Sequence, residues 1–195
     1  MPSSNSWVSR HRNGAFYTLA LVIVATLVCG VLTAGVHWGL TDAFTASDAR
    51  LDEAKGGSQR ALLFPEAASF EKLPAPAVEG LNSVYKTDAG DYVFDVQSKG
   101  YHGDVQLMVG ITSGGTVAGI QIVAEDETDG IGTNALTEEY FASFADLAAT
   151  GTLTVEEPGS GETKVDGVSG ATFTANAVIA DLNIAFEAYA QMGGK

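Results

Sequence analysis

Cysteine is all but missing from this chain: Cys29 is the only one in 195 residues. A single thiol excludes an intramolecular disulfide. It also excludes a Cys-ligated iron–sulfur cluster, which needs several thiolates. The haem-attachment pattern C-x-x-C-H is absent. Any redox group in this chain is therefore held by something other than cysteine. Basic residues are scarce as well, with 10 Lys and Arg against 24 Asp and Glu and a formal net charge of -14. Every acid lies after residue 41, so that from residue 42 onward 8 basic residues face 24 acidic ones, a balance of -16. Nucleic-acid binding depends on neutralising phosphates with Lys and Arg, so a nucleic-acid partner is excluded. Such acidity serves solubility or attraction to a cationic partner. No Ser–His–Asp, H-E-x-x-H or Walker pattern is present. His102 has no sequence partner that would suggest a metal, and an exposed position is expected for it.

What the chain does have, at its start, is a long apolar run. Phe16 to Leu40 reads FYTLALVIVATLVCGVLTAGVHWGL, with no charged side chain between Arg12 and Asp42. A spanning helix needs about 20 apolar residues, so a single transmembrane helix over 16–40 is expected. His37 and Trp38 stand near its end, where amphipathic rings favour the interface. The run exceeds the ~7–15 residues of a cleavable signal's apolar region. A lipid anchor at Cys29 fits poorly, because Val28 precedes it and apolar sequence continues beyond. Arg10, His11 and Arg12 flank the helix on its N-terminal side, and positive flanks stay in the cytoplasm. The expected arrangement is a cytoplasmic N-terminus over 1–15, the membrane helix, a stalk over 41–75, and an extracytoplasmic domain over 76–195.

Hydrophobic content of 46% suits a packed core. Residues 58–73 read as a short helix broken at Pro65. From Val84 the period falls to two: Val84, Tyr92, Phe94 and Val96 alternate with polar residues around Asp88–Ala89–Gly90, a hairpin signal. DVQLMVGIT (104–112) and VAGIQIVA (117–124) are strands joined by Ser113–Gly114–Gly115. EDETDGIGT (125–133) is a polar, Gly-rich loop. Residues 135–149 show helical spacing at Leu136, Tyr140, Phe141, Phe144 and Leu147. Residues 153–155 and 162–165 are candidate short strands. Thr172 to Met192 forms a long amphipathic helix, with Val178, Ala180, Leu182, Ile184, Ala185 and Phe186 as core positions. Hairpins followed by helices give an α+β domain on a largely antiparallel sheet.

The stretch that carries chemistry is Asp166-Gly167-Val168-Ser169-Gly170-Ala171-Thr172-Phe173-Thr174. Its glycines permit close backbone approach, and Ser169 is placed to cap the helix that follows. A helix N-terminus offers unpaired N–H groups and the positive end of a dipole, which together suit a phosphate. As a bare pattern so short a stretch is more often an ordinary capped helix start after a Gly-rich turn.

Asp166-x-x-Ser169-Gly170-Ala171-Thr172 resembles the flavinylation signature of the FMN-binding domain family. Gly100-Tyr101-His102-Gly103 followed by Val109-Gly110-Ile111 resembles that family's G-Y-x-G…V-G-I hairpin. Glu127-Thr128-Asp129-Gly130-Ile131-Gly132 resembles its E-T-P-G-L-G loop, and Phe64-Pro65 its entry segment. The likeness covers almost the whole chain in the right order. Two departures stand out: Asp129 replaces the usual proline, and Glu125 takes a place where histidine is common. The family includes the G subunit of Rnf complexes and the C subunit of sodium-pumping NADH:quinone reductases. The resemblance implies an FMN joined through its phosphate to Thr172, with Thr174 as the lesser alternative for attachment. It also implies that a separate flavin transferase makes the bond, reading Asp166, Ser169, Gly170 and Ala171. Glu127, Thr128, Gly130, Ile131 and Gly132 would line the flavin pocket, with solvated loop positions as the alternative for Glu127 and Thr128. Tyr101, Met108 and Ile131 would pack on the ring, with ordinary core positions as the alternative for such apolar residues. The implied role is a flavin electron carrier, not catalytic alone, as a G subunit of the Rnf type, with the C subunit of a sodium-pumping NADH:quinone reductase or a stand-alone membrane-anchored FMN module in extracellular electron transfer or signalling as alternatives. Its partners would be membrane lipid and the other membrane subunits of a complex coupling ferredoxin:NAD⁺ oxidoreduction to Na⁺ or H⁺ transport.

Overall fold

The computed structural model describes residues 18–30, 35 and 56–194. The chain divides into two compact units, Met1–Asp52 and Glu53–Lys195. In the first unit residues 18–30 are helical with exposed side chains. The Thr26 hydroxyl donates back to the carbonyls of Val22 (3.0 Å) and Ile23 (2.9 Å), a bond that keeps a polar side chain satisfied on a helix. Among the described residues no helix is long and apolar enough to cross a membrane. The expected span over 16–40 lies partly outside the described residues, and so does the expected stalk over 41–75, up to residue 55.

The second unit is built on five strands: β1 (Phe70–Leu73), β2 (Leu81–Thr87), β3 (Tyr92–Lys99), β4 (Asp104–Ile111) and β5 (Val117–Glu125). They form an antiparallel meander in sequence order. The expected α+β class with a mainly antiparallel sheet is what the unit shows. The cause is local. Strand residues alternate in side-chain direction, and the hairpin turns close on short polar segments. Between β2 and β3, Gly90 donates its N–H to the Thr87 carbonyl (3.0 Å), and Thr87 in turn donates to the Asp91 carbonyl (2.8 Å).

Alternation splits the apolar side chains between two layers. Val84, Phe94, Val96, Leu107, Val109 and Ile111 point into the main core. Tyr85, Val93 and Met108 point to the opposite face, where Leu63, Phe64 and Phe70 cover them. Residues 56–63 are helical and lead into this cover. The expected helix over 58–73 is therefore shorter than its spacing suggested. Beyond Pro65, Phe70–Leu73 pairs with β2 as an edge strand. Two of the sequence motifs meet here, because a Cβ at Gly110 would stand only 3.1 Å from the Phe64 ring. The glycine of V-G-I makes room for the phenylalanine of Phe64-Pro65.

The main core is closed by two helices, α1 (Glu138–Ala142) and α2 (Thr172–Gln191). Thr137 caps α1, accepting from the Tyr140 N–H at 3.2 Å. Along α2, Val178, Leu182, Ala185 and Phe186 are buried, whereas Ala180 and Ile184 are half-buried. Each buried aliphatic or aromatic side chain of this size contributes about 1.5–3 kcal/mol. Tyr189 adds edge-on contacts to Tyr92 (5.7 Å) and Phe94 (6.3 Å). A parallel pair, β6 (Thr152–Thr154) and β7 (Glu162–Lys164), is tied to α2 by the Asn183 amide, which bonds the backbone N–H (2.7 Å) and carbonyl (3.1 Å) of Leu153.

The helix expected over 135–149 is a correction. Only a 3-10 turn (Gly132–Ala135) and α1 form. After Ser143 the chain leaves helical geometry, with Asp146 at φ 62. Its backbone instead bonds the start of β5: Asp146 donates to the Val117 carbonyl and Val117 to the Leu147 carbonyl, each at 2.9 Å. The apolar spacing was real, since Tyr140, Phe141 and Phe144 all face the core, but the sheet edge took the backbone hydrogen bonds.

Candidate functional site

Three loops converge at the N-terminus of α2: residues 100–103 between β3 and β4, 125–132 after β5, and 166–171 leading into the helix. They form a cleft of about 310 Å3 lined by Tyr101, Ile131, Gly132 and the run Gly170–Thr174. That volume lies at the lower end of the ~300–1,000 Å3 common for small-molecule sites. Its rim is apolar and open. Tyr101 is 54% exposed, Ile131 44% and Phe173 66%, and the rings of Tyr101 and Phe173 lie 6.0 Å apart. Large apolar side chains held in water at a cleft mouth mark a surface that another molecule covers.

One carboxylate ties two of these loops to the first turn of α2. Glu127 Oε2 accepts from the Thr174 hydroxyl at 2.6 Å. Its Oε1 accepts from the backbone N–H groups of His102 (3.1 Å) and Gly103 (3.4 Å). Partial burial pushes the Glu127 pKa up. The Thr174 hydroxyl and the N–H groups of His102, Gly103 and Tyr101 outweigh that effect and hold it below the ordinary carboxylate value of 4.5. The backbone must come close for this to work. A Cβ on Gly132 would collide with the Glu127 carboxylate and stand 2.9 Å from Thr174 Oγ1. Glu127 in turn receives an anchor from Glu125, whose carboxylate accepts the Glu127 N–H at 2.7 Å.

The residues singled out from sequence divide accordingly. Gly170, Ala171, Thr172, Thr174, Ile131 and Gly132 line the cleft. Glu127 lies behind it and acts through Thr174 and the 100–103 loop. Thr128 is exposed, and its carbonyl accepts the N–H groups of Ile131 and Gly132, both at 3.0 Å. Gly130 sits at φ +72, with its N–H given to the Thr133 hydroxyl (3.0 Å) and its carbonyl accepting the Asn134 amide (2.9 Å). The loop thus closes on its own bonds even with Asp129 in place of proline. Met108 takes the core alternative, buried on the far face of the sheet. The His102 side chain is exposed, with Nδ1 at 3.0 Å from the Asp126 carbonyl.

In the Asp166–Thr174 stretch, Ser169 is exposed and does not cap α2. The N-cap position is Ala171, which makes no side-chain cap hydrogen bond. The first-turn N–H groups are thus left to the cleft. Gly170, at φ +83, makes the turn that allows this, a conformation costly for any other residue. Asp166 presents its carbonyl to the Tyr140 hydroxyl at 3.0 Å. Burial, and then the Asp166 carboxylate, push the Tyr140 pKa up to about 12, so this donor stays protonated. The two threonines differ sharply. Thr174 is fully buried and donates to Glu127, whereas Thr172 is exposed in the cleft. Sequence reasoning missed Phe173, although an aromatic next to Thr172 was a visible signal. It also missed the link from Glu127 to Thr174, which no spacing reveals.

A helix N-terminus without a side-chain cap, an exposed hydroxyl in its first turn and an apolar mouth together form a cleft of a size and character suited to a small molecule. Residues 100–187 match the family model described as "FMN-binding domain", which spans all three of these loops. The chain is also similar to the G subunits of ion-translocating redox complexes. It is 28% identical over 182 residues to the G subunit of the proton-translocating ferredoxin:NAD(+) oxidoreductase complex of Clostridium ljungdahlii, covering 91% of this chain and 93% of that one. It is 29% identical to the G subunit of the ion-translocating oxidoreductase complex of Methanosarcina acetivorans, covering 85% and 92%. It is 27% identical to the G subunit of the Na(+)-translocating ferredoxin:NAD(+) oxidoreductase complex of Acetobacterium woodii, covering 65% and 70%. The resemblance first carried by the motifs is to the same family.

Proposed function

We propose that this chain is the G subunit of an Rnf-type ion-translocating ferredoxin:NAD⁺ oxidoreductase complex, carrying one FMN covalently on Thr172. The observation that carries the reading is the contrast between two threonines of one motif. Thr172 offers its hydroxyl to a cleft with an apolar mouth, while Thr174 is buried and committed to Glu127. The flavin supplies the electron chemistry when bound. The chain supplies position: the Tyr101, Ile131 and Phe173 side chains bound the ring, Gly170 leaves the N–H groups of α2 open, and Tyr140 fixes the loop through Asp166. Similar proteins are named for proton and for Na(+) translocation alike, so the reading assigns no ion.

In the linkage, Thr172 Oγ1 displaces the activating group at the flavin phosphorus: the Oγ1–P bond forms, the P–O bond to the activating phosphate breaks, that phosphate leaves with the electron pair, the hydroxyl proton departs, and the chain gains FMN less one water. A phosphate monoester does not react with an alcohol unaided, so the donor is an activated flavin phosphate brought by a flavin transferase. The exposed Asp166, Ser169 and Gly170 are open to that enzyme. The apolar run at 16–40 anchors the chain in the cytoplasmic membrane, with residues 1–15 inside and the flavin domain outside, among the complex's other membrane subunits.

The test is co-expression of the full chain with a flavin transferase, followed by intact mass under denaturing conditions. The parent should gain one FMN less water, and Thr172→Ala should gain nothing. An unmodified parent, or a modified Thr172→Ala, would remove Thr172 from this role.

A further inference from the structure

Charge around the cleft sets a limit on what it binds without help. No Lys or Arg occurs from residue 100 to 163, nor from 165 to 194, a range that contains every residue lining the cleft. The positive end of α2 is worth about half an elementary charge. It faces a full negative charge, because Glu127 bonds the third residue of that helix, Thr174, at 2.6 Å. The exposed carboxylates of Asp126, Asp129 and Asp166 lie in the same loops. By contrast, the apolar mouth of Tyr101, Ile131 and Phe173 suits an uncharged ring.

We infer that the cleft on its own recognises the flavin ring and its neutral chain but disfavours the phosphate, so that the unmodified protein binds riboflavin in preference to FMN. This rests on the flavin reading above and deepens it. A free phosphate monoester carries about -1.5 to -2 at neutral pH. As a diester on Thr172 it carries one charge. The covalent bond therefore does more than prevent loss of the cofactor: it lowers the charge that an acidic, cation-free cleft has to hold.

The experiment uses the full chain made without a flavin transferase, and Thr172→Ala, each titrated with riboflavin and with FMN by flavin-fluorescence change and equilibrium dialysis. At low salt riboflavin should bind at least about tenfold more tightly than FMN in both proteins, as the monoester's additional charge of about -1.5 to -2 in such a site would give. Raising NaCl should narrow the gap, and Glu127→Gln should narrow it at low salt. FMN binding as tightly as riboflavin, or a gap insensitive to salt, overturns the inference. Failure of both flavins to bind overturns it too. The flavin reading itself is then judged separately, by whether Thr172 gains FMN in the co-expressed chain.

Discussion

Helix α2 meets a carboxylate at each of two places, and the two have opposite fates. At its N-terminus Glu127 is surrounded by donors, and its pKa is held below the ordinary 4.5. Midway along, Asp181 is wholly buried, and among the described residues neither of its oxygens has a hydrogen-bond partner. The nearby Ser98 hydroxyl donates instead to the Ala177 carbonyl at 2.9 Å. Burial pushes the Asp181 pKa from 3.8 up to about 8, with Ser98 acting against the rise and the Asp95 carboxylate adding to it. Asp181 is therefore a neutral acid at neutral pH, and Glu127 a carboxylate. The same chemical group organises a site where donors converge and burdens a core where none do.

Removing the organising group has the largest expected effect. Glu127→Ala leaves the Thr174 hydroxyl buried without its acceptor and frees the 100–103 loop. A loss of about 1.5–3 kcal/mol is expected, as for a hydrogen bond to a charged group, read as a fall in denaturant midpoint at neutral pH. The sign with pH follows. A carboxylate whose folded pKa is lowered stabilises the fold above its unfolded value, and that contribution disappears as pH falls through the folded value. The acid limb of the parent's stability curve should therefore be shallower in the variant.

Asp181→Asn should act in the other direction. With its folded pKa raised, Asp181 favours the fold below about pH 4. That advantage is lost steadily as pH climbs to about 8, where the buried acid must ionise. The substitution should flatten this slope and leave the variant about 1–3 kcal/mol more stable than the parent at pH 8. An unchanged slope would mean that Asp181 does not titrate in this window. Thr174→Val has the smallest expected effect, about 1.5 kcal/mol, the lower end for a hydrogen bond to a charged group, because Glu127 keeps the N–H groups of His102 and Gly103. It should leave FMN addition to the chain intact, which separates a structural threonine from an attachment threonine.

Much of the fold was legible because its signals are local. The hairpins of β2 to β5 follow from period-two alternation and turn residues, and α2 follows from its length and spacing. The 143–149 segment misled because apolar spacing reports which side chains face inward and not which backbone groups pair. Leu147 keeps its inward place while its carbonyl accepts from Val117. At the site, the motifs located the loops but not their order of command. Glu127 reads as one acid among 24 until 100–103, 125–132 and 172–174 are brought together. Asp181 sits among the apolar residues of α2, where its buried neighbours gave warning but its type argued for exposure.

The most direct test of the account is peptide-level mass spectrometry of the co-expressed, flavinylated chain, with fragmentation across Gly170–Ala175. FMN is expected on Thr172, with Thr174 unmodified. FMN on Thr174, the hydroxyl buried against Glu127, would contradict it.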